Sequence, residues 1–183
     1  MKVLVIQTAF IGDIALSVFL TNEIKTIIPD ANITFITTKI GHDVIKSFNF
    51  VDNIVILDKR AKHKSVTSLL KFCRQPSLDV EFDYIFTLHR SFRSAIITKL
   101  LKAKNKFGFD KNSLSFLLDK RIRYVQQNHE IIRNRQFLSI FPNFSERFDY
   151  KTLVKNNISS FKFNTEDRII LNKKPILIAP GSV

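Results

Sequence analysis

A carboxylate at Asp13 stands directly after Gly12, at the close of a short loop between the apolar run Val3 to Ile6 and an apolar-periodic stretch that reaches about Ile28. An ionised carboxylate facing a cleft accepts a proton from an attacking hydroxyl. Amides left free at a helix start, together with the helix dipole, favour that ionised form. Gly12 lets a ligand approach the backbone closely. Spacing alone leaves a second role open, because Asp is also a preferred helix N-cap. The two roles coexist only if one carboxylate oxygen remains free.

Cations follow several of the other apolar runs. Leu88-His89-Arg90-Ser91-Phe92-Arg93-Ser94 places His89 and Arg90 just past one run and Arg93 about one helical turn further on. A guanidinium grips carboxylate or phosphate with two parallel hydrogen bonds, so Arg90 and Arg93 are candidates to hold an anion; they equally suit a solvated helix start. His89 reads either as a cleft residue or as a packed, hydrogen-bonded histidine. The segment Asp58-Lys59-Arg60-Ala61-Lys62-His63-Lys64 adds Lys59, Arg60, Lys62 and Lys64, and Arg121 and Arg123 flank Ile122 on an expected strand, where they would share a face. Together these residues would form a basic bowl around Asp13. His129-Glu130, with Arg133 and Arg135 beyond, reads as a structural helix with solvated charges. Cys73, the single cysteine, reads as a small helix residue, and no second His or Cys stands at metal-ligand spacing.

The elements that position these groups alternate. Strands are expected at Val3–Thr8, Ile33–Thr37, Asn53–Leu57, Tyr84–Leu88, Phe107–Phe109 and Arg121–Val125. Helices are expected at Asp13 to about Ile28, from Gly41 through Phe48, near Ser65–Arg74, from Ser91 to Leu101, and over His129–Phe141. This alternation predicts an α/β fold: a Rossmann-like, mostly parallel sheet with helices on both faces. In such sheets ligands bind at the carboxyl ends of the strands. Residues 1–141 read as one domain and 142–174 as a linker region. The run Pro175 to Val183, with its closing Pro-Gly-Ser turn, reads as the start of a second domain that is cut short.

Composition narrows the partners. The 183 residues carry 29 Lys and Arg against 16 Asp and Glu, a net charge of +13. Such a surface attracts nucleic acid, acidic lipid headgroups or a phosphorylated substrate, or is simply solvated. The 18 Phe fall mostly at core-like positions, as at Phe19, Phe35 and Phe86, and read as packing rather than as a base-stacking platform. No apolar run approaches the ~18 residues that span a bilayer. Ala9-Phe10-Ile11 fill the loop where a dinucleotide fold carries its glycines, and no P-loop motif occurs, which makes nicotinamide and P-loop enzymes poor fits. A basic nucleic-acid-binding α/β domain and a generic Rossmann-like nucleotide-binding module remain alternatives. The first is weakened by the absence of an aromatic–basic RNA motif, the second by the missing glycine fingerprint.

Four segments, in order, resemble the lipopolysaccharide heptosyltransferases of glycosyltransferase family 9. They are Lys2-Val3-Leu4-Val5-Ile6 through Gly12-Asp13-Ile14; Phe82-Asp83-Tyr84-Ile85 with Leu88 to Ser94; Phe107-Gly108-Phe109-Asp110; and Ile178-Ala179-Pro180-Gly181-Ser182. The resemblance implies the amino-terminal half of a GT-B glycosyltransferase, with acceptor bound in this half and nucleotide sugar in the other. It implies an inverting transfer of a heptose-type sugar from an ADP-sugar, with Asp13 as general base, no metal, and no cofactor beyond the ADP-sugar co-substrate. The implied acceptor is an anionic saccharide on a lipid anchor, which would give the basic charge a purpose and place the enzyme in the cytoplasm at the inner face of the membrane. Nucleic acid is not an expected partner. The Lys-Arg-Trp-Pro-type stretch that the family carries after its Pro-Gly-Ser turn is not present, so the chain by itself is expected to be inactive. Phe10 and Ile11 are bulkier than the family pattern in that loop, which points to an acceptor different from the usual inner-core sugar.

Overall fold

The computed structural model describes residues 1–59, 61–63 and 65–145. Arg60, Lys64, most of the expected linker and the expected start of a second domain lie outside the described residues.

Six strands form a single sheet: β1 (Lys2–Ile6), β2 (Asn32–Thr37), β3 (Asn53–Ile56), β4 (Phe82–Thr87), β5 (Ala103–Phe109) and β6 (Lys120–Ile122). Their spatial order is β3-β2-β1-β4-β5-β6, and every pairing is parallel. The helices between them are α1 (Ile11–Ile27), α2 (Lys39–Ile45), α3 (Val66–Cys73), α4 (Phe92–Leu100) and α5 (Glu130–Arg135). Chain order reverses between β1 and β4, the switch point at which open parallel sheets bind ligands.

Alternation along β1 explains the two layers of core. Val3 and Val5 pack with Ile14, Val18 and Ile24 of α1 and with Phe137 and Leu138 after α5. Leu4 and Ile6 point the other way, to Leu69 and Phe72 of α3 and Ile97 of α4. A central parallel strand is covered on both faces, so its residues are apolar without a break. Burying each such side chain contributes about 1.5–3 kcal/mol. Phenylalanine fills the first layer: Phe86 meets Phe107 and Phe137 with ring centroids 5.8 and 5.6 Å apart, and Phe109 meets Phe137 at 4.9 Å. Cys73 is buried in the second layer, where burial pushes its thiol up to about 11, as suits packing rather than attack.

Several element bounds differ from the sequence expectation. Strand β5 begins earlier, at Ala103: Asn105 and Lys106 leave the apolar pattern yet still pair with Tyr84 and Ile85 of β4. The expected helix over 129–141 is a short α5 followed by a 3₁₀ segment, Gln136–Ile140. Strand β6 stops at Ile122, so Arg123 lies past it and does not share a strand face with Arg121. The chain turns there because the amide of Tyr124 donates to the Asp110 carboxylate at 2.9 Å. Among the described residues no helix is long and apolar enough to cross a membrane.

Candidate active site

The loops that follow β1, β4, β5 and β6 meet over the switch point and enclose an open cleft of about 410 Å³. Its walls include Gln7, Asp13, His89, Arg90, Lys111, Tyr124, Glu130 and Arg133. Backbone bonds fix the floor: the amides of Leu88 and His89 both donate to the Ile6 carbonyl, at 3.0 and 3.3 Å, which ties the end of β4 to the end of β1.

Asp13 is not the N-cap. Phe10 holds that position, and its side chain has no oxygen to offer the helix amides. Asp13 sits three residues in, and its Oδ2 accepts from the Phe10 amide at 3.3 Å, a long bond. Its other oxygen accepts no described hydrogen bond. The Ile14 amide bonds back to Phe10 at 3.1 Å, whereas no described bond starts from the amides of Ile11, Gly12 or Asp13. The carboxylate therefore binds the Phe10 amide with one oxygen, from the third helical position rather than as the N-cap, and its other oxygen accepts no bond from the described residues.

Gly12 is exposed, and a Cβ added there would meet nothing within 4 Å. Its φ lies outside the left-handed region. Inside a helix Gly costs about 1 kcal/mol relative to Ala. No described contact requires a glycine at this position.

His89 lies half-buried, with Nδ1 2.7 Å from Thr8 Oγ1 and 3.4 Å from Ser94 Oγ. Burial, then the charge of Lys59, push its pKa down to about 4, against the opposing pull of Asp13. It is therefore a neutral hydrogen-bonding group at neutral pH, which joins the two alternatives left by the sequence: a packed histidine that also lines the cleft. Lys59 Nζ donates to the Thr8 carbonyl, which draws its charge toward the same floor.

The other cations are distributed unevenly. Arg90 lines the cleft with its guanidinium 3.9 Å from the centre of the Tyr124 ring. Lys62, Arg121 and Arg123 are exposed and do not line it. Arg93 also lies off the cleft, with its Nε buried and unpartnered among the described residues. Among the described residues the cations at the cleft are Arg90, Lys111 and Arg133, with Lys59 close to His89.

Lys111, Tyr124, Glu130 and Arg133 are cleft residues that the sequence did not single out as such. Lys111 and Tyr124 stand two residues past β5 and β6, the same rule that selected Asp13 and His89, whereas Glu130 and Arg133 reach the cleft from α5. The reading of Glu130, Arg133 and Arg135 as solvated charges does not hold. Glu130 is bound by Arg133, with Nε at 3.0 Å from Oε2, and each side chain is only 14% exposed. Arg135 is buried, and its Nε donates to the Glu23 carboxylate at 2.8 and 2.9 Å, which binds the end of α5 to α1. Among the described residues no cluster of His, Cys, Asp or Glu could hold a metal ion.

The profile of glycosyltransferase family 9 (heptosyltransferase) matches residues 74–183, more than half of the chain. The chain belongs to glycosyltransferase family 9. Over 194 aligned residues this family 9 chain is 26% identical to "Lipopolysaccharide heptosyltransferase 1" of Campylobacter coli, covering 100% of the chain and 55% of that protein. Among solved structures it is similar to a family 9 glycosyl transferase from Veillonella parvula, with TM-score 0.75, 16% identity, and 94% of this chain on 48% of that one. It is also similar to the E. coli heptosyltransferase WaaC with ADP, with TM-score 0.70, 16% identity, and 81% of this chain on 50% of that one. At these identities the structural likeness establishes the fold, that of one half of a GT-B heptosyltransferase. The chain spans about half the length of the relatives it matches.

Proposed function

We propose that this chain forms the acceptor-binding half of an inverting glycosyltransferase that moves a heptose-type sugar from an ADP-sugar to a lipopolysaccharide core acceptor. The observation that carries the reading is the Asp13 carboxylate, which lines the switch-point cleft with only one long hydrogen bond. A carboxylate so placed takes the proton from an acceptor hydroxyl. The hydroxyl oxygen then attacks the anomeric carbon from the face opposite the leaving group. The bond from that carbon to the ADP oxygen breaks, ADP departs with the electron pair, and the configuration inverts.

Gly12 supports the same reading. With no side chain there, an acceptor ring can lie against the first turn of α1 and meet its unpartnered amides. Arg90 and Lys111 favour an anionic acceptor, and the net charge of +13 favours approach to one. Neutral His89 contributes hydrogen bonding without adding charge beside Asp13. Donor binding belongs to the second lobe of such an enzyme. An acceptor anchored in lipid would hold the protein peripherally at the inner face of the cytoplasmic membrane, where the net charge of +13 suits an anionic surface.

The test is a transfer assay of the enzyme carrying both lobes, with ADP-heptose and a series of truncated lipopolysaccharide cores, and with the anomeric configuration of the product read by NMR. Transfer to one core with inversion is expected. Hydrolysis alone, or retention of configuration, would contradict the mechanism.

A further inference from the structure

The two arginines on the cleft wall share one aromatic ring but use their hydrogen bonds differently. Arg133 lies with its guanidinium carbon 4.8 Å from the centre of Tyr124 and spends its donors on its own loop: Glu130, the Gln126 carbonyl at 3.1 Å and the Asn128 carbonyl. Arg90 lies closer to the same ring, at 3.9 Å, yet no described carboxylate or carbonyl accepts from it. Its side chain is exposed to the cleft.

A guanidinium stacked on a ring gives up its face and keeps the N–H groups along its edges. Those edges form the fork that binds a carboxylate or phosphate with two hydrogen bonds. The ring itself is well held. The Tyr124 amide is fixed to Asp110 at 2.9 Å, and the ring meets buried Phe109 edge-on at 5.2 Å and 87°. Arg133 occupies the carboxylate of Glu130, which lines the same cleft as Arg90. Lys111 adds a second positive charge to the same cleft.

We infer that Tyr124 is a positioning residue, holding the Arg90 guanidinium as a fork for an oxyanion of the acceptor saccharide, a phosphate or a carboxylate. This rests on the reading of the cleft as an acceptor site and adds to it the group that selects the acceptor's charge. Arg90 is the residue that touches the anion; Tyr124 acts through it. An acceptor gripped there stays within the cleft that Asp13 lines.

The test compares Tyr124→Leu and Tyr124→Phe in the transferring enzyme, on acceptors that carry a phosphate, a carboxylate or neither, with folding checked by thermal melting. Tyr124→Leu should raise the acceptor KM about tenfold and change kcat less, while Tyr124→Phe, which keeps the ring face, should restore the KM. The difference should vanish on the neutral acceptor, and whichever anionic acceptor shows it identifies the ligand group. A KM within about twofold of the parent for Tyr124→Leu overturns the inference. An equal rise on the neutral acceptor also overturns it, since that marks a general structural role. If the parent protein transfers no sugar, the proposed function fails, and a second measurement decides this inference alone. In that measurement glucose 6-phosphate and glucuronate are titrated while the Arg90 Nε–H signal is followed by NMR. A saturable shift kept by Tyr124→Phe and lost in Tyr124→Leu supports the fork, and no shift in the parent overturns it.

Discussion

The two ends of the parallel sheet are built from the same strands and satisfy their polar groups in opposite ways. At the amino ends, acids and bases answer one another. Asp83 accepts from the Lys2 amide at 2.9 Å and from Lys104 at 2.7 Å, Asp79 pairs with Lys102 at 3.1 Å, and Asp52 pairs with Lys25 at 2.8 Å. At the carboxyl ends the loops leave Asp13 with one long bond, Arg90 stacked on a ring instead of paired, and Phe10 84% exposed. A closed network suits an end that only has to be stable. An end with unspent donors, acceptors and apolar rings suits one that meets a ligand. Partnering, rather than charge count, separates the closed end of this sheet from the end that carries the candidate site.

Gly12→Ala breaks the comparison most sharply. The first turn of α1 has space for the methyl group, so the variant should fold as well as the parent or gain up to about 1 kcal/mol in a denaturant melt. Transfer should nevertheless fall, on the order of 10²-fold, because a displaced acceptor loses its alignment. A variant with parental transfer would mean that nothing approaches that glycine.

The next effect is in pH. The folded-state pKa of His89 lies near 4, below its ordinary 6.5. Stability from the neutral ring is therefore fully present above about 6.5 and lost as the pH falls through the window toward 4, because the unfolded chain takes up the proton first. Thermal melts between pH 7 and 4 should show this loss, and His89→Gln should reduce the slope. An unchanged slope would place the buried acid-sensitive group elsewhere.

The smallest effect is expected at the amino end. Lys104→Ala removes an exposed ion pair with Asp83, which solvent and salt screen, so the thermal midpoint should barely move. Its transfer rate should match the parent. A large loss of transfer there would show that the two ends are not functionally distinct.

Much of this division was legible in the sequence. The unbroken apolar run of β1 gave away a central strand covered on both faces, and the loop-then-helix after it located Asp13 at the carboxyl edge. Ser91 and Ser65 cap α4 and α3 as their residue types suggest. The outer half of the sheet was harder to read. The polar run Lys104-Asn105-Lys106 belongs to β5 because β4 offers the strand partners, a tertiary cause that local pattern does not carry. The carboxyl end of β5 falls at Phe109 as the sequence indicates, but β6 stops at Ile122 rather than Val125, so Tyr124 is hidden inside an expected strand, and Glu130 and Arg133 reach the cleft from α5 through packing that spacing does not carry. The stacking of Arg90 on Tyr124 joins residues far apart in the chain and leaves no mark in spacing. Arg121 and Arg123 show the reverse error: a shared strand face was assumed where the strand had already ended.

The claim on which the account depends is that Asp13 keeps a working oxygen for the acceptor. Asp13→Asn preserves the shape of the side chain and removes the base, so it is the most direct measurement, read as kcat together with the thermal midpoint. A loss of roughly 10²–10⁴-fold in kcat with the fold intact is expected. Retained turnover, accompanied only by a loss of about 1 kcal/mol in stability, would show that Asp13 merely closes its helix and would contradict the account.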